Sequence, residues 1–305
     1  MPKQSSNSFS KLLTKISPHM MRVQRNFPYP IKQWIHKIPP VITSREGISL
    51  VVLTQHKTFT EALWTAYTWL YFLSDRLSLK IVMDGEVTDR EREAFHRLFP
   101  NGEITSVRDC VDEDTLSNPA IREFYLSHKF GKLLLLKLAL QRQSSILFSD
   151  PDVLVFQYPT ELVQAIDQHQ GCYLTELNAF AISDWIRDRA IEHSLKITKD
   201  FNAGVLFIPQ NSLSLEICQT LLEGWTPEVI DYFPEQTICD VLMTAAHSCP
   251  LPHQEYVVNN VGMNFWTDDL DYRNLKIRHF VGNVRHRMYM SGYPLVKKLL
   301  YPKLN

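Results

Sequence analysis

The chain has 305 residues, 45% of them hydrophobic and 21% charged, with a formal net charge of −1. This is the composition of a globular protein with one large or two small domains, and its near-neutral balance gives no pull toward nucleic acid. Five cysteines, at 110, 172, 218, 239 and 249, include no Cys-x-x-Cys pair, there is no Asn-x-Ser/Thr sequon, and no apolar run approaches a membrane span; a secreted disulfide framework, a zinc site and a transmembrane helix are set aside in favour of a reduced, cytoplasmic chain, at most peripheral to a membrane surface.

In chain order, the first forty residues carry seven Lys or Arg, and no acidic residue precedes Glu46. Within residues 8–23, Phe9, Leu12, Leu13 and Ile16 fall on one helical face while Lys11 and Lys15 lie off it, until Pro18 stops the pattern. Such a segment suits a frayed terminal extension, a basic amphipathic contact with anionic lipid, or an acid-poor, Ser-rich transit peptide. "PYP" and "IPP" then mark a linker. Residues 1–44 are therefore read as a basic extension and linker, and residues 45–305 as the folded domain.

From residue 47 strand-like and helix-like patterns alternate. "ISLVVLT" (48–54) is an apolar run of strand length, and "FTEALWTAYTWLYFL" has apolar residues spaced by three and four. "LKIVMDG" and "TDREREAFHRLF" repeat the pair, with Thr88 as cap and Glu91 three positions on. "EITSV", the helix "FGKLLLLKLALQRQ" and the strand "SILFS" make a third cycle. This alternation predicts an α/β fold with a mostly parallel sheet covered by helices, which binds ligands outside the carboxyl ends of its strands.

Asp150 and Asp152 sit at one such end, separated by Pro151. Extended residues two apart point the same way, so both carboxylates can converge on one point. Their repulsion is removed by a divalent cation, and Mg²⁺ or Mn²⁺ takes oxygen ligands from one or two carboxylates together with substrate phosphates. "DED" (112–114) and "DLD" (269–271) share the pattern but lie in polar surroundings and read as solvated loops. Two other readings of Asp150 and Asp152 stand beside the metal: a polar strand-to-loop transition, and a haloacid-dehalogenase-type phosphatase with Asp150 as nucleophile.

"ILFSDPDVLVF" and, downstream, "FNAGVLFIP" (201–209), "FPEQTICDVLM" and "RHFVGNVRHRMY" (278–289) come in order. Together they resemble the nucleotide-diphospho-sugar glycosyltransferases of the GT-A fold, most closely the glycogenin-like family 8 type, over residues 47 to 295. The resemblance implies a single GT-A (Rossmann-like) domain that moves a sugar from a nucleoside-diphosphate sugar, a UDP-sugar foremost, to a glycan, lipid or protein acceptor with retention of configuration. A scaffold protein that kept the fold without the chemistry is the alternative.

By this resemblance Asp150, Asp152 and His279 are the metal ligands, and an imidazole in the set favours Mn²⁺ over Mg²⁺. Gly282 lets the backbone approach a phosphate, and Arg285 stands where the family has lysine, keeping the charge but not the geometry. His286 and Arg287 replace the family's Pro-Trp. Asn202 and Gly204 border the sugar, with Asn202 bonding a sugar hydroxyl, or else Asn202 caps a turn. Glu235 and Gln236 face the transferred sugar, Glu235 being the best-placed catalytic group, although an acidic residue in a first helical turn is favourable in any case. Thr54 belongs to the nucleoside edge, Asp84, which ends the second strand, is a further donor-binding residue, and Lys132 lies near the donor phosphates. Trp185, Trp225 and Trp266 serve either acceptor stacking or packing.

Overall fold

Seven consecutive residues with no break in β-propensity form β1 (Ile48–Thr54), the first strand of a seven-stranded sheet in this computed structural model. The structure describes residues 29–177, 182–229, 233–258 and 270–300, with Met20, Val23 and Phe27. All but Met20 and Val23 of the predicted amphipathic segment 8–23, and Trp266, lie outside those residues.

On one side of β1 lie β2 (Leu77–Met83) and β3 (Glu103–Ser106), and on the other β4 (Ile146–Ser149), all parallel. Beyond β4 the sheet changes direction. The eight-residue β7 (Phe201–Ile208) runs antiparallel to both β4 and β6 (Cys172–Thr175), and the short β8 (Cys249–Pro250) pairs in parallel with β6. The order is β3-β2-β1-β4-β7-β6-β8, a mostly parallel sheet as the alternating pattern predicts.

Alternation along the strands divides the core between two faces. Leu50 and Val52 pack on the side of α1 (Phe59–Leu73) and α2 (Asp89–Leu98), whereas Val51 joins the core of α3 (Gly131–Gln143) and α4 (Pro234–Ala245). Thr88 caps α2, accepting from Glu91 N while Glu91 reaches back to the Thr88 amide. "DED" is not a solvated loop: Asp112 caps the helix Glu113–Leu116, accepting from Thr115 N at 2.6 Å.

A second sheet lies beside the first: β5 (Val153–Val155), β10 (Ile277–His279) and β9 (Tyr256–Val257), in the order β5-β10-β9. The apolar "VLV" after the Asp-Pro-Asp is therefore a strand of a different sheet. Two threonines of α1 hold it there. Thr65 Oγ1 lies 2.9 and 2.8 Å from the carbonyls of Pro151 and Val153, and Thr68 Oγ1 accepts from Val155 N.

Of the stretch read as extension and linker, residues 29–44 pack on this core. Ile35 and Ile38 are buried, Trp34 stacks on Trp64, and Lys32 pairs with the buried Glu61 at 2.7 Å. Glu61 also accepts from Tyr289 Oη, four residues beyond Arg285.

Candidate active site

The two sheets part at Asp150-Pro151-Asp152. Asp150 N still donates to Gly204 O on β7 at 2.8 Å, Pro151 has no amide to offer, and Asp152 O accepts from Phe280 N beyond β10. Each aspartate is thus anchored by its backbone to a different sheet. Antiparallel pairing of β5 with β10 sets Val153 opposite His279, bringing the imidazole beside both carboxylates. His279 Nε2 lies 3.4 Å from Asp150 Oδ2 and 3.2 Å from Asp152 Oδ1.

Asp152 and His279 are buried, while Asp150 keeps 29% of its side-chain surface open to the cleft. Lost hydration pushes the Asp150 carboxyl up to about 6, with the His279 charge opposing and the Asp152 charge adding to the rise. For Asp152 burial acts in the same direction, but the Arg285 and His279 charges beside it win and hold it well below the usual carboxylate range. His279 is disfavoured as a cation by burial, yet the two aspartates raise it above an ordinary histidine. Arg285 Nε donates to Asp152 Oδ2 at 2.7 Å and its Nη2 reaches the same oxygen. Asp152 Oδ1 is left facing His279.

These residues fit a divalent cation. Among the described residues, Asp150, Asp152 and His279 form a group whose donor atoms all lie within 4.8 Å of one another. The set is two carboxylate oxygens and one imidazole nitrogen, donors of the kind that hold a divalent metal. Gly204 is part of the seat: a Cβ there would stand 2.1 Å from His279 Nδ1, so only glycine lets the ring lie against β7.

Two adjoining clefts meet at this cluster. One, of about 450 Å³, is lined by Asn202, Gly204, Phe233, Glu235, Gln236 and Gly282 as well as the cluster and Arg285. The other, of about 280 Å³, is lined by Thr54, Gln55, Asp84, Lys129 and Lys132 and shares Asp150, Asp152 and Arg285. The residues named from sequence therefore gather in one continuous depression, along the carboxyl ends of β1 and β4. Lys132 Nζ pairs with Asp84 at 2.6 Å, and Gln55 Nε2 donates to the same carboxylate. Gly282 has φ +48°, in the left-handed region that favours glycine. Trp185 and Trp225 pack edge to face, with Trp225 buried against Phe124.

Three features had no isolated sequence signal. Lys137, inside "LLLLKLAL", is wholly buried and pairs with Glu235 at 2.6 Å, its ammonium 4.4 Å from the centre of the Phe148 ring. Glu176 accepts from Asn202 Nδ2 at 3.2 Å. Trp69 Nε1 donates to Ser149 Oγ directly below Asp150. A lysine among leucines at helical spacing was the one available hint of a buried charge partner.

No family model matches the sequence, and no curated protein matches it. Solved structures do. The galactosyltransferase LgtC, in complex with donor and acceptor sugar analogs, superposes with a TM-score of 0.56 at 14% identity, over 85% of this chain and 97% of that one. Mouse xyloside xylosyltransferase 1, in its apo form, gives 0.50 at 13% identity, over 78% of this chain and 99% of the other. The chain has the fold of these sugar transferases, the GT-A fold.

Proposed function

We propose that this protein is a metal-dependent glycosyltransferase of the glycogenin-like family 8 type. It moves a sugar from a nucleoside-diphosphate sugar, with UDP-sugars the favoured donors, to a glycan, lipid or protein acceptor, retaining anomeric configuration. The observation that carries the reading is the convergence of Asp150, Asp152 and His279 where the two clefts join. The fold shared with LgtC, whose structure holds donor and acceptor analogs, supports it over a phosphatase built on Asp150. Residues 45–305 are read as the transferase domain and 1–44 as its basic extension, of which residues 29–44 pack on the domain core. No helix among the described residues is long and apolar enough to cross a membrane, and contact through residues 8–23 would be peripheral to a cytoplasmic enzyme.

Asp150, Asp152 and His279 would hold Mn²⁺ or Mg²⁺, which when bound supplies Lewis-acid stabilisation of the charge on the departing nucleoside diphosphate. The chain's own residues do the rest. Thr54, Asp84 and Lys132 line the cleft assigned to the nucleoside and its phosphates, and Gly204 and Gln236 the cleft assigned to the sugar, with Gly282 placed to approach a phosphate. Arg285 places a guanidinium at the junction, where negative charge grows as the glycosidic bond breaks. Glu235, paired with the Lys137 ammonium, presents a fixed carboxylate to the sugar side; it can accept a hydroxyl or face positive charge on the reacting carbon. Each 1.36 kcal/mol of such stabilisation is worth about tenfold in rate.

The test is thermal unfolding with Mn²⁺ against UDP-, GDP-, ADP- and TDP-linked ligands, repeated with chelator. Ligand at about 100 times its dissociation constant adds about 2.7 kcal/mol, which moves the midpoint visibly. We expect a manganese-dependent shift with one nucleotide, UDP first, and donor hydrolysis that Asp152→Asn abolishes while circular dichroism stays unchanged. A silent panel would reduce the protein to a GT-A-fold binding protein. Full hydrolysis by D152N would remove the metal from the mechanism.

A further inference from the structure

Asn202 stands on β7 beside a break in register. Leu174 of β6 pairs with Asn202, yet the preceding Tyr173 pairs with Leu206, so residues 203–205 bulge out between two matched rungs. Bulges beside active sites re-aim side chains. This one turns both the Asn202 side chain and the bare Cα of Gly204 toward His279: Asn202 Oδ1 is 2.9 Å from His279 Nδ1 and accepts from Gly204 N at 3.0 Å.

The amide cannot be reversed. On one side its partner is a backbone N–H, which only donates, and on the other it is the Glu176 carboxylate, an acceptor, 3.2 Å from Nδ2. The oxygen of Asn202 therefore faces the imidazole, and His279 Nδ1 must carry the hydrogen. In the neutral ring the lone pair is then on Nε2, the nitrogen that looks at Asp150 and Asp152. With its oxygen engaged twice and its amide nitrogen donating once, Asn202 keeps a single N–H to offer a sugar hydroxyl.

We infer that Asn202, held by Glu176 across the β-bulge, is a positioning residue that presents His279 Nε2 as the nitrogen ligand of the metal site. The inference rests on the metal-dependent reading of the site. It assigns Glu176 and Asn202 to the selection of a cation that accepts nitrogen over one that prefers only oxygen. A hydrogen-bonded partner behind a ligating histidine is commonly worth about 10–100-fold in metal affinity.

The measurement is calorimetric titration of the full chain with Mn²⁺ and separately with Mg²⁺, without nucleotide, for wild type, Asn202→Leu, Asn202→Asp and the double variant E176Q/N202D. N202L should lose about 10–100-fold in Mn²⁺ affinity and less in Mg²⁺ affinity. N202D restores an acceptor for Nδ1 but sets a carboxylate against Glu176. The double variant exchanges the two groups, so that an amide at position 176 can donate to a carboxylate at position 202; it should bind Mn²⁺ more tightly than N202D and close to wild type. That rescue is the signature a merely structural asparagine would not give, and it remains readable if N202L fails to fold. Wild type that binds Mn²⁺ while the single variants match it overturns the positioning role alone. Wild type that binds no Mn²⁺ overturns the metal site and the positioning role together.

Discussion

At the scale of single residues the site depends on what is absent from position 204. A methyl group there would overlap the His279 ring, and the ring has no free direction, since Asn202 holds one edge and two carboxylates the other. Gly204→Ala should abolish the manganese-dependent rise in unfolding temperature and lower the unfolding free energy by about 1–3 kcal/mol, the usual cost of overpacking. Denaturant titration with and without Mn²⁺ checks both, and an undiminished metal response would show that the ring need not lie where it does. The two aspartates were legible because an apolar strand delivers them; the histidine was legible only through the motif around it. Glu176 was not legible, because its partner is set by a bulge, and a bulge leaves no mark in a strand's hydrophobic pattern.

At the scale of elements, α3 and α4 meet through a charge pair in the second core. Lys137 is wholly buried and Glu235 nearly so, so removing either partner strands the other away from water. Lys137→Met should cost about 3–5 kcal/mol, and K137M/E235L should recover part of it, because the stranded charge is then gone. Unfolding free energies of the single and double variants decide the matter. If both fall equally, the pair is no more than filler. The leucine-rich run reads as a buried helix and is one, and the lysine within it hints at a buried charge, but the helical pattern does not say that Glu235 is its partner.

Asp240, also on α4, is buried and accepts from Thr198 N, Thr198 Oγ1 and Thr244 Oγ1. Burial pushes its carboxyl up to about 6 and the hydrogen bonds only partly offset this. The folded chain therefore keeps a proton that the unfolded chain releases near pH 4, and the associated stability, full below that value, is lost as pH rises through about 6. Wild type should lose on the order of 2 kcal/mol relative to Asp240→Asn between about pH 4 and pH 6.5. Parallel free-energy profiles for the two proteins across that window would refute the burial argument.

At the scale of the whole molecule, residues 29–44 belong to the core they were expected only to lead into. Two prolines near each end suggested a linker, whereas the apolar Trp34, Ile35 and Ile38 between them decide the outcome by packing on α1. A chain begun at residue 45 loses two buried isoleucines alone worth about 3–6 kcal/mol, together with the Lys32 partner of Glu61. Its melting temperature should fall well below that of the full chain; equal melting would mean that this contact contributes nothing. Alternation along the chain foretold the large sheet, because parallel strands buried on both faces are continuous apolar runs. It could not foretell the small one, whose strands of two or three residues are too short to carry a period.

The pairing of β5 with β10 has a consequence in time. Position 153 is joined to position 279, so a ribosome that has released both aspartates still has most of the second half of the domain to make before their imidazole exists. Until then Asp150 and Asp152 face each other with neither His279 nor Arg285 to relieve them. Such a long-range closure is slow relative to helix formation. During synthesis the nascent chain is therefore a helix-bearing precursor in which the cluster of Asp150, Asp152 and His279 does not yet exist.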